Sequence, residues 1–282
     1  MTPADDHHVT LASGVTIPQV GFGTFQIPPE ETQSAVEHAL GYGYRHIDTA
    51  AAYNNEAGVG AALRGSGLAR DDIFVTTKLR NGEQGRDSAL RAFDDSLQRL
   101  GVDVIDLYLI HWPVPSKDLY VETWRALAEI LSSGAVRSIG VSNFLPEHLE
   151  RLAEETGVLP DVNQIEVHPT YQQHATLEAT RSAGIAVEAY SPLGQGADLQ
   201  SEEVAELADA HGVTPGQVVL RWHVQHGHIV IPKSVNPARI EANLDLFRFE
   251  LSADEMAVLD RMDGEGRVGQ DPYTFDRSQI RA

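Results

Sequence analysis

A single (β/α)8 barrel is the α/β architecture that this 282-residue sequence predicts. Three observations carry the prediction. Short apolar, β-like runs alternate with helical patterns along most of the chain, and that alternation signals a parallel sheet. The β-like runs number eight, which is what closes a barrel. No Gly-x-Gly-x-x-Gly opens a helix, since Gly21-Phe-Gly23-Thr-Phe-Gln is only a partial match, and this weighs against a doubly wound open sheet.

The elements follow in order. Residues 9–18, with Ser13-Gly14 at the turn, read as a short hairpin that plugs one end of the barrel. Strands are expected at 20–23, 46–48, 73–78, 107–111, 138–141, 162–166, 186–190 and 229–232. Helical patterns fill the intervals. Residues 30–40 carry acids in their first turn, 55–64 stop at Gly65, 86–100 at Gly101, 120–131 before Gly134, and 176–183 at Gly184. Residues 146–155 open with proline in the first turn. Two helices, 201–211 and 215–225, come in succession before the last strand, and 237–246 and 253–262 follow it. Residues 264–282 have no period but carry Tyr273 and Phe275, so they are expected to lie as a flap across the barrel mouth. The whole of 1–282 is expected to form one domain.

Composition narrows the function. The net charge is −20, from 21 basic and 41 acidic residues. Such a chain repels nucleic acid and anionic membranes, so an anionic ligand needs a local cluster of Lys and Arg. There is no cysteine, which excludes disulfides and thiolate catalysis. No apolar run approaches the roughly 18 residues of a membrane span, and the N-terminus shows no secretory pattern. A cytoplasmic monomer acting on a small molecule is the expectation.

Four polar residues stand at the ends of apolar runs or just past them: Asp48, Tyr53, Lys78 and His111. In an α/β barrel the C-terminal ends of the strands converge on the catalytic mouth. A tyrosine, a lysine, a carboxylate and an imidazole gathered there make a proton-donating device. Singly, each has an ordinary reading: a solvated cap, a packing aromatic, a surface lysine, a core histidine.

The longer text around these residues resembles the aldo-keto reductase family, and within it the bacterial 2,5-diketo-D-gluconate reductase type. The matching stretches are Gly21-Phe-Gly-Thr24, Tyr44-Arg-His-Ile-Asp-Thr-Ala50, Tyr53-Asn-Asn-Glu56, Thr77-Lys-Leu79, Asp106-Leu-Tyr-Leu-Ile-His-Trp-Pro113, Gly140-Val-Ser-Asn-Phe144, Val162-Asn-Gln-Ile-Glu166, Tyr190-Ser-Pro-Leu-Gly194 and Ile231-Pro-Lys-Ser-Val235 with Arg239 and Asn243. The resemblance implies carbonyl reduction with Tyr53 as proton donor, Lys78 and Asp48 as its tuning pair, and His111 orienting the carbonyl oxygen. Tyr53 can serve if its pKa falls from ~10, and the Lys78 ammonium is expected to lower it.

No side chain supplies a hydride, so a carrier is needed. The resemblance implies NADPH/NADP+ across the mouth. Tyr190 would stack on the nicotinamide, Ser142, Asn143 and Gln164 would bond its carboxamide, and Gly23, Thr24 and Asp48 would lie by its ribose. Ser191, Leu193 and Gln195 would fold over the pyrophosphate. Lys233, Ser234, Val235, Arg239 and Asn243 would hold the adenosine end. Lys233 and Arg239 stand near a helix start, where amides also favour phosphate, and this points to NADPH over NADH. One departure is Ala242 where the family commonly has Glu, with Glu241 beside it.

For the substrate, Phe22, Tyr53, His111 and Trp112 are the expected contacts, with Phe25, Phe144, Tyr273 and Phe275 as further aromatic candidates. Arg80 stands where the family often carries Trp. It can pair with a carboxylate, but the expectation is that it points to solvent. His223, His226 and His228 have a spacing that permits zinc, although helix-end imidazoles explain them better, and no metal is expected. Two rivals stay open: a Schiff-base lyase using Lys78, and a non-catalytic NADPH-binding module.

Overall fold

The computed structural model describes residues 7–278. Eight parallel strands lie side by side in chain order: β3 (Phe22–Gly23), β4 (His46–Asp48), β5 (Phe74–Leu79), β6 (Ile105–Ile110), β7 (Val136–Ser142), β8 (Val162–Glu166), β9 (Ala186–Tyr190) and β10 (Ile229–Val230). The first and last meet. Gly21 N donates to Val230 O at 2.8 Å, Val230 N to Gln19 O at 2.9 Å, and Gly23 N to Pro232 O at 3.2 Å, which closes the barrel. A Cβ on Gly23 would sit 2.6 Å from Ile231 O, so only glycine allows this approach. The strands fall within a residue or two of their expected places. At the seam 20–23 and 229–232 shorten to two residues each, while 138–141 lengthens to 136–142.

Ten helices cover the described chain outside the strands: α1 (Pro29–Tyr42), α2 (Glu56–Gly65), α3 (Arg86–Leu100), α4 (Tyr120–Ser133), α5 (Pro146–Thr156), α6 (His174–Ser182), α7 (Glu202–His211), α8 (Pro215–Gln225), α9 (Pro237–Leu244) and α10 (Ala253–Asp260). Thr214 and Ser252 cap α8 and α10, each reciprocated by Gln217 or Glu255. Gly101 and Gly134 end α3 and α4 at φ 67° and 80°, a left-handed turn that glycine takes without strain. No helix among the described residues is long and apolar enough to cross a membrane.

Strand side chains alternate between two faces, and the barrel uses each face differently. Outward residues such as Ile47, Val75, Ile139 and Ile165 pack with the helices in the main apolar core. Trp124 and Trp222 are fully buried there, with indole N–H groups bonded to Val158 O and Asp260 Oδ1. Truncating such an aromatic costs about 3–5 kcal/mol. Inward residues form an apolar floor of Phe74, Leu107, Leu109, Val162 and Ile229. The hairpin of β1 (His8–Thr10) and β2 (Thr16–Pro18) stops the barrel from below with Leu11 and Ile17. Above the floor the inward positions turn polar.

The tail crosses the opposite end. Gly82 N donates to Ser278 O, Asn81 Nδ2 to Arg277 O, and Phe275 packs 4.6 Å from Trp112. Residues 279–282 of the expected flap lie outside the described residues. One reason given for the flap is corrected: Tyr273 is not buried by it but stays 59% exposed.

Candidate active site

Period-two alternation brings Asp48 and Lys78 to the same inward layer, because β4 and β5 pair with Asp48 opposite Thr76. Lys78 is fully buried and Asp48 nearly so. The ammonium bonds both carboxylate oxygens at 2.7 Å and Thr49 O at 2.9 Å. Burial pushes the Asp48 carboxyl up, and the charge and hydrogen bonds of Lys78, with one from Gln164, oppose that push. Every contact on this carboxyl is a donor, which is the geometry of a solvated anion rebuilt from protein groups.

Tyr53 ends a 3-10 turn, Ala51–Tyr53, above the ion pair. Its ring centroid is 5.2 Å from Lys78 Nζ, 5.7 Å from the His111 ring and 5.1 Å from Phe25. The expected fall in its pKa is not what the structure produces. Burial raises the phenol well above its ordinary value, and the carboxyls of Asp48 and Glu188 add to the rise. The reason is that the hydroxyl is fully buried and faces two carboxyls as well as the ammonium. His111 lies just past β6, not at its last residue. Burial, then Lys78, lower its pKa well below the ordinary value, so the ring is neutral, and Nδ1 has no partner among the described residues.

The groups expected to hold a nicotinamide also gather here. Ser142 and Gln164 sit opposite each other on β7 and β8. Ser142 Oγ donates to Gln164 O at 2.8 Å. Asn143, in a left-handed turn at φ 64°, gives its amide N–H groups to His111 O and Ser142 Oγ and accepts from the Tyr190 hydroxyl at 2.8 Å. Gln164 Nε2 bonds Asp48 Oδ2 at 2.9 Å and Glu188 Oε2 at 2.7 Å. Its Oε1 accepts no hydrogen bond among the described residues. Thr24 Oγ1 bonds Asp48 O, and Gly23 lies in the seam.

Past β9, Ser191 and Gln195 take left-handed backbone at φ 46° and 53° and turn the loop that carries Leu193. The loop is fastened by a group that sequence reasoning missed. Buried His168 bonds Asp198 of the loop at 2.9 Å and Glu166 at the end of β8 at 3.2 Å, and Glu166 accepts from the tail amides of Val268 and Gly269. Burial alone would lower the His168 pKa, yet the two carboxylates outweigh it and lift the ring to about 9. A pKa raised on folding contributes stability that is full below the free value of ~6.5 and lost as pH rises through about 9. His168→Asn is therefore expected to lower the melting temperature more at pH near 6 than near 10, and an equal loss at both would remove the charge from this latch.

Lys233 and Arg239 are exposed at the start of α9, and among the described residues neither has an ion-pair partner. Asn236 caps that helix through Arg239 N. Ser234 and Asn243 are buried beside them, and Val235 is half exposed. Two cations fit a phosphate, and of the first-turn amides Ala238 N is the open donor, since Pro237 has no N–H and Asn236 takes those of Arg239 and Ile240.

Comparison with known proteins agrees with this geometry. The model of the aldo/keto reductase family matches residues 19–263. The chain belongs to that family. An aldo-keto reductase of Mycolicibacterium smegmatis is 54% identical over 95% of this chain and 98% of its own length. The methylglyoxal reductase DkgA of Escherichia coli strain K12 is 46% identical over 95% and 97%. Among solved structures, a variant of Gox0644 in complex with NADPH is 50% identical, covers 95% of this chain and 98% of its own, and superposes with a TM-score of 0.92.

Several side chains of this aldo/keto reductase lie elsewhere than expected. Phe22 is not at the mouth. Gly21 and Gly23 take the inward positions of β3, so Phe22 faces the helix layer, edge-on to Tyr44 at 5.7 Å. Phe144 is likewise buried, against Tyr120 and His148. Phe25, 48% exposed, is the aromatic that stands beside Tyr53, and Trp112 lies between His111 and Phe275. Arg80 does not point to solvent. Its guanidinium donates to Ala51 O and Asn54 Oδ1 and lies 3.8 Å from Glu83, so it clamps both ends of the Tyr53 turn. In the histidine group, His223 bonds His228 and Pro192 O, and His226 bonds Asp260. Glu188, Glu166 and Arg80 all had a signal in the sequence: a charged residue at an inward or terminal position of an apolar strand.

Proposed function

We infer that this reductase converts small aldehydes and ketones to alcohols with NADPH, in one domain and as a monomer, with Tyr53 giving the proton. The observation that carries the reading is the buried Lys78–Asp48 ion pair lying under Tyr53, with neutral His111 at its side. NADPH supplies the hydride when bound; Gox0644 holds it in a fold of the same shape. Gln164 Oε1 would take its carboxamide, and Lys233 and Arg239 the adenosine 2′-phosphate. Keto sugars, dicarbonyls and aromatic aldehydes are the substrate classes, and the DkgA relative, a methylglyoxal reductase, supports the second.

Hydride delivery leaves an alkoxide, which is far more basic than a phenolate. A donor for it must be protonated at working pH and within hydrogen-bond reach. The raised pKa keeps Tyr53 protonated. His111, neutral and uncharged by Lys78, can donate one ring N–H to the carbonyl oxygen without competing as a base. Once Tyr53 has given its proton, the Lys78 ammonium stabilises the phenolate. Lys78 itself is saturated by Asp48 and Thr49, so it is held as an ammonium rather than freed as a Schiff-base nucleophile.

The test is consumption of NADPH against a panel of small carbonyls, with NADH in parallel. Lys233→Ala should raise the KM for NADPH by about tenfold, the scale of one charge-assisted hydrogen bond, and leave that for NADH within a factor of two. Equal effects on both cofactors would refute a 2′-phosphate role.

A further inference from the structure

One buried carboxyl enters the mechanism above only as a contributor to the raised Tyr53 pKa. Glu188 is fully buried at an inward position of β9, directly opposite Gln164 of β8 in register. Its Oε2 accepts from Gln164 Nε2 at 2.7 Å, while its Oε1 has no hydrogen bond among the described residues and lies 3.5 Å from His46 Nε2. A carboxylate so placed beside a second carboxylate is costly to leave charged. Burial, and then the Asp48 charge, lift its pKa to about 8, so at neutral pH it is mostly the neutral acid.

Gln164 needs two anchors. The terminal torsion of a glutamine is broad and roughly two-fold, so one hydrogen bond leaves the amide free to pivot and two fix its plane. Here one Nε2 hydrogen goes to Asp48 on β4 and the other to Glu188 on the adjacent strand β9. With both hydrogens committed, Oε1 is the remaining group, an acceptor only. By contrast Asn143 is saturated by His111, Ser142 and Tyr190. Gln164 Oε1 is thus the open amide oxygen of the mouth.

We propose that Glu188 is a positioning residue: by holding Gln164 Nε2 it presents Oε1 as an obligatory acceptor, which makes the site select a nicotinamide bearing a carboxamide N–H. The proposal rests on the reading that Gln164 meets the carboxamide. It separates from the rest of the reading because it concerns binding of the oxidised cofactor with no turnover.

The experiment compares NADP+ with its 3-acetylpyridine analogue, in which a methyl group replaces the carboxamide NH2, by equilibrium quenching of tryptophan fluorescence. The wild-type enzyme should bind NADP+ about tenfold more tightly, as expected when an acceptor loses its donor. Glu188→Leu removes the anchor, frees the amide to turn, and should shrink that preference below about threefold. Glu188→Thr, which suits a strand and cannot reach Gln164, makes the same test if the leucine variant does not fold. Glu188→Gln keeps an acceptor oxygen and should restore the preference, which a general loss of packing would not do. If the wild type fails to discriminate, the contact between Gln164 and the carboxamide is wrong. If the wild type discriminates and the leucine or threonine variant does so equally, that contact stands and the role of Glu188 is overturned.

Discussion

Tyr53→Phe should cut kcat by about 10²–10⁴, the range that one positioned general acid contributes, while the Kd for NADPH stays within about a factor of two. The variant removes one hydroxyl and leaves the ring against Phe25 and His111. It also leaves the ion pair below, so stability should hold. Steady-state reduction of methylglyoxal and a fluorescence titration of NADPH measure both halves. Turnover near the wild-type rate would mean that another group, His111 first among them, delivers the proton. Loss of cofactor binding together with turnover would mean that the phenol shapes the site instead of acting on substrate. Because the phenol's pKa is raised and not lowered, the reduction rate should show no fall from Tyr53 ionisation as pH rises through neutrality.

Lys78→Met is expected to be among the most damaging single changes to the fold. It leaves Asp48, 2% exposed, as a buried carboxylate without its cation. Breaking a buried pair from one side costs about 3–5 kcal/mol. Urea unfolding should show that loss in the midpoint at unchanged slope. The double variant Lys78→Met with Asp48→Asn removes both charges and should recover more than half of it. A single variant as stable as the wild type would show that the pair contributes no net charge-charge stabilisation, whatever its distance.

Much of this was legible from one sequence because barrels repeat a local rule. Each strand reads as a short apolar run, and several helices have a readable stop: Gly101, Gly134 and Gly184 are left-handed in the structure, whereas Gly65, expected as a stop, is the last residue inside α2. The grouping of Asp48, Tyr53, Lys78 and His111 was readable because strand ends point to one place. Side-chain direction was not. Phe22 and Gly23 are adjacent, and which of them faced inward depended on the seam, where only Gly23 fits against Ile231 O. The sign of the Tyr53 shift was missed for a related reason. Spacing shows that a lysine is near, but not that the phenol is fully buried and faces the carboxyls of Asp48 and Glu188. Arg80 looked like a mouth residue open to solvent, and only the turn geometry shows carbonyl and amide oxygens waiting for it. His168 was invisible because its partners, Glu166, Asp198 and the tail, come from three separate segments.

The seam also sets a schedule for synthesis. Residues 19–23 find their second neighbour only in residues 230–232, which a ribosome working at about 5–20 residues per second adds roughly ten to forty seconds later. Throughout that interval the nascent sheet has an unpaired edge at its N-terminal side. The edge strand there is two residues long and contains Gly23, too short and too bare to template pairing with another chain. The shortness that looks like a weak point in the finished barrel is what protects the unfinished one from aggregation on the ribosome.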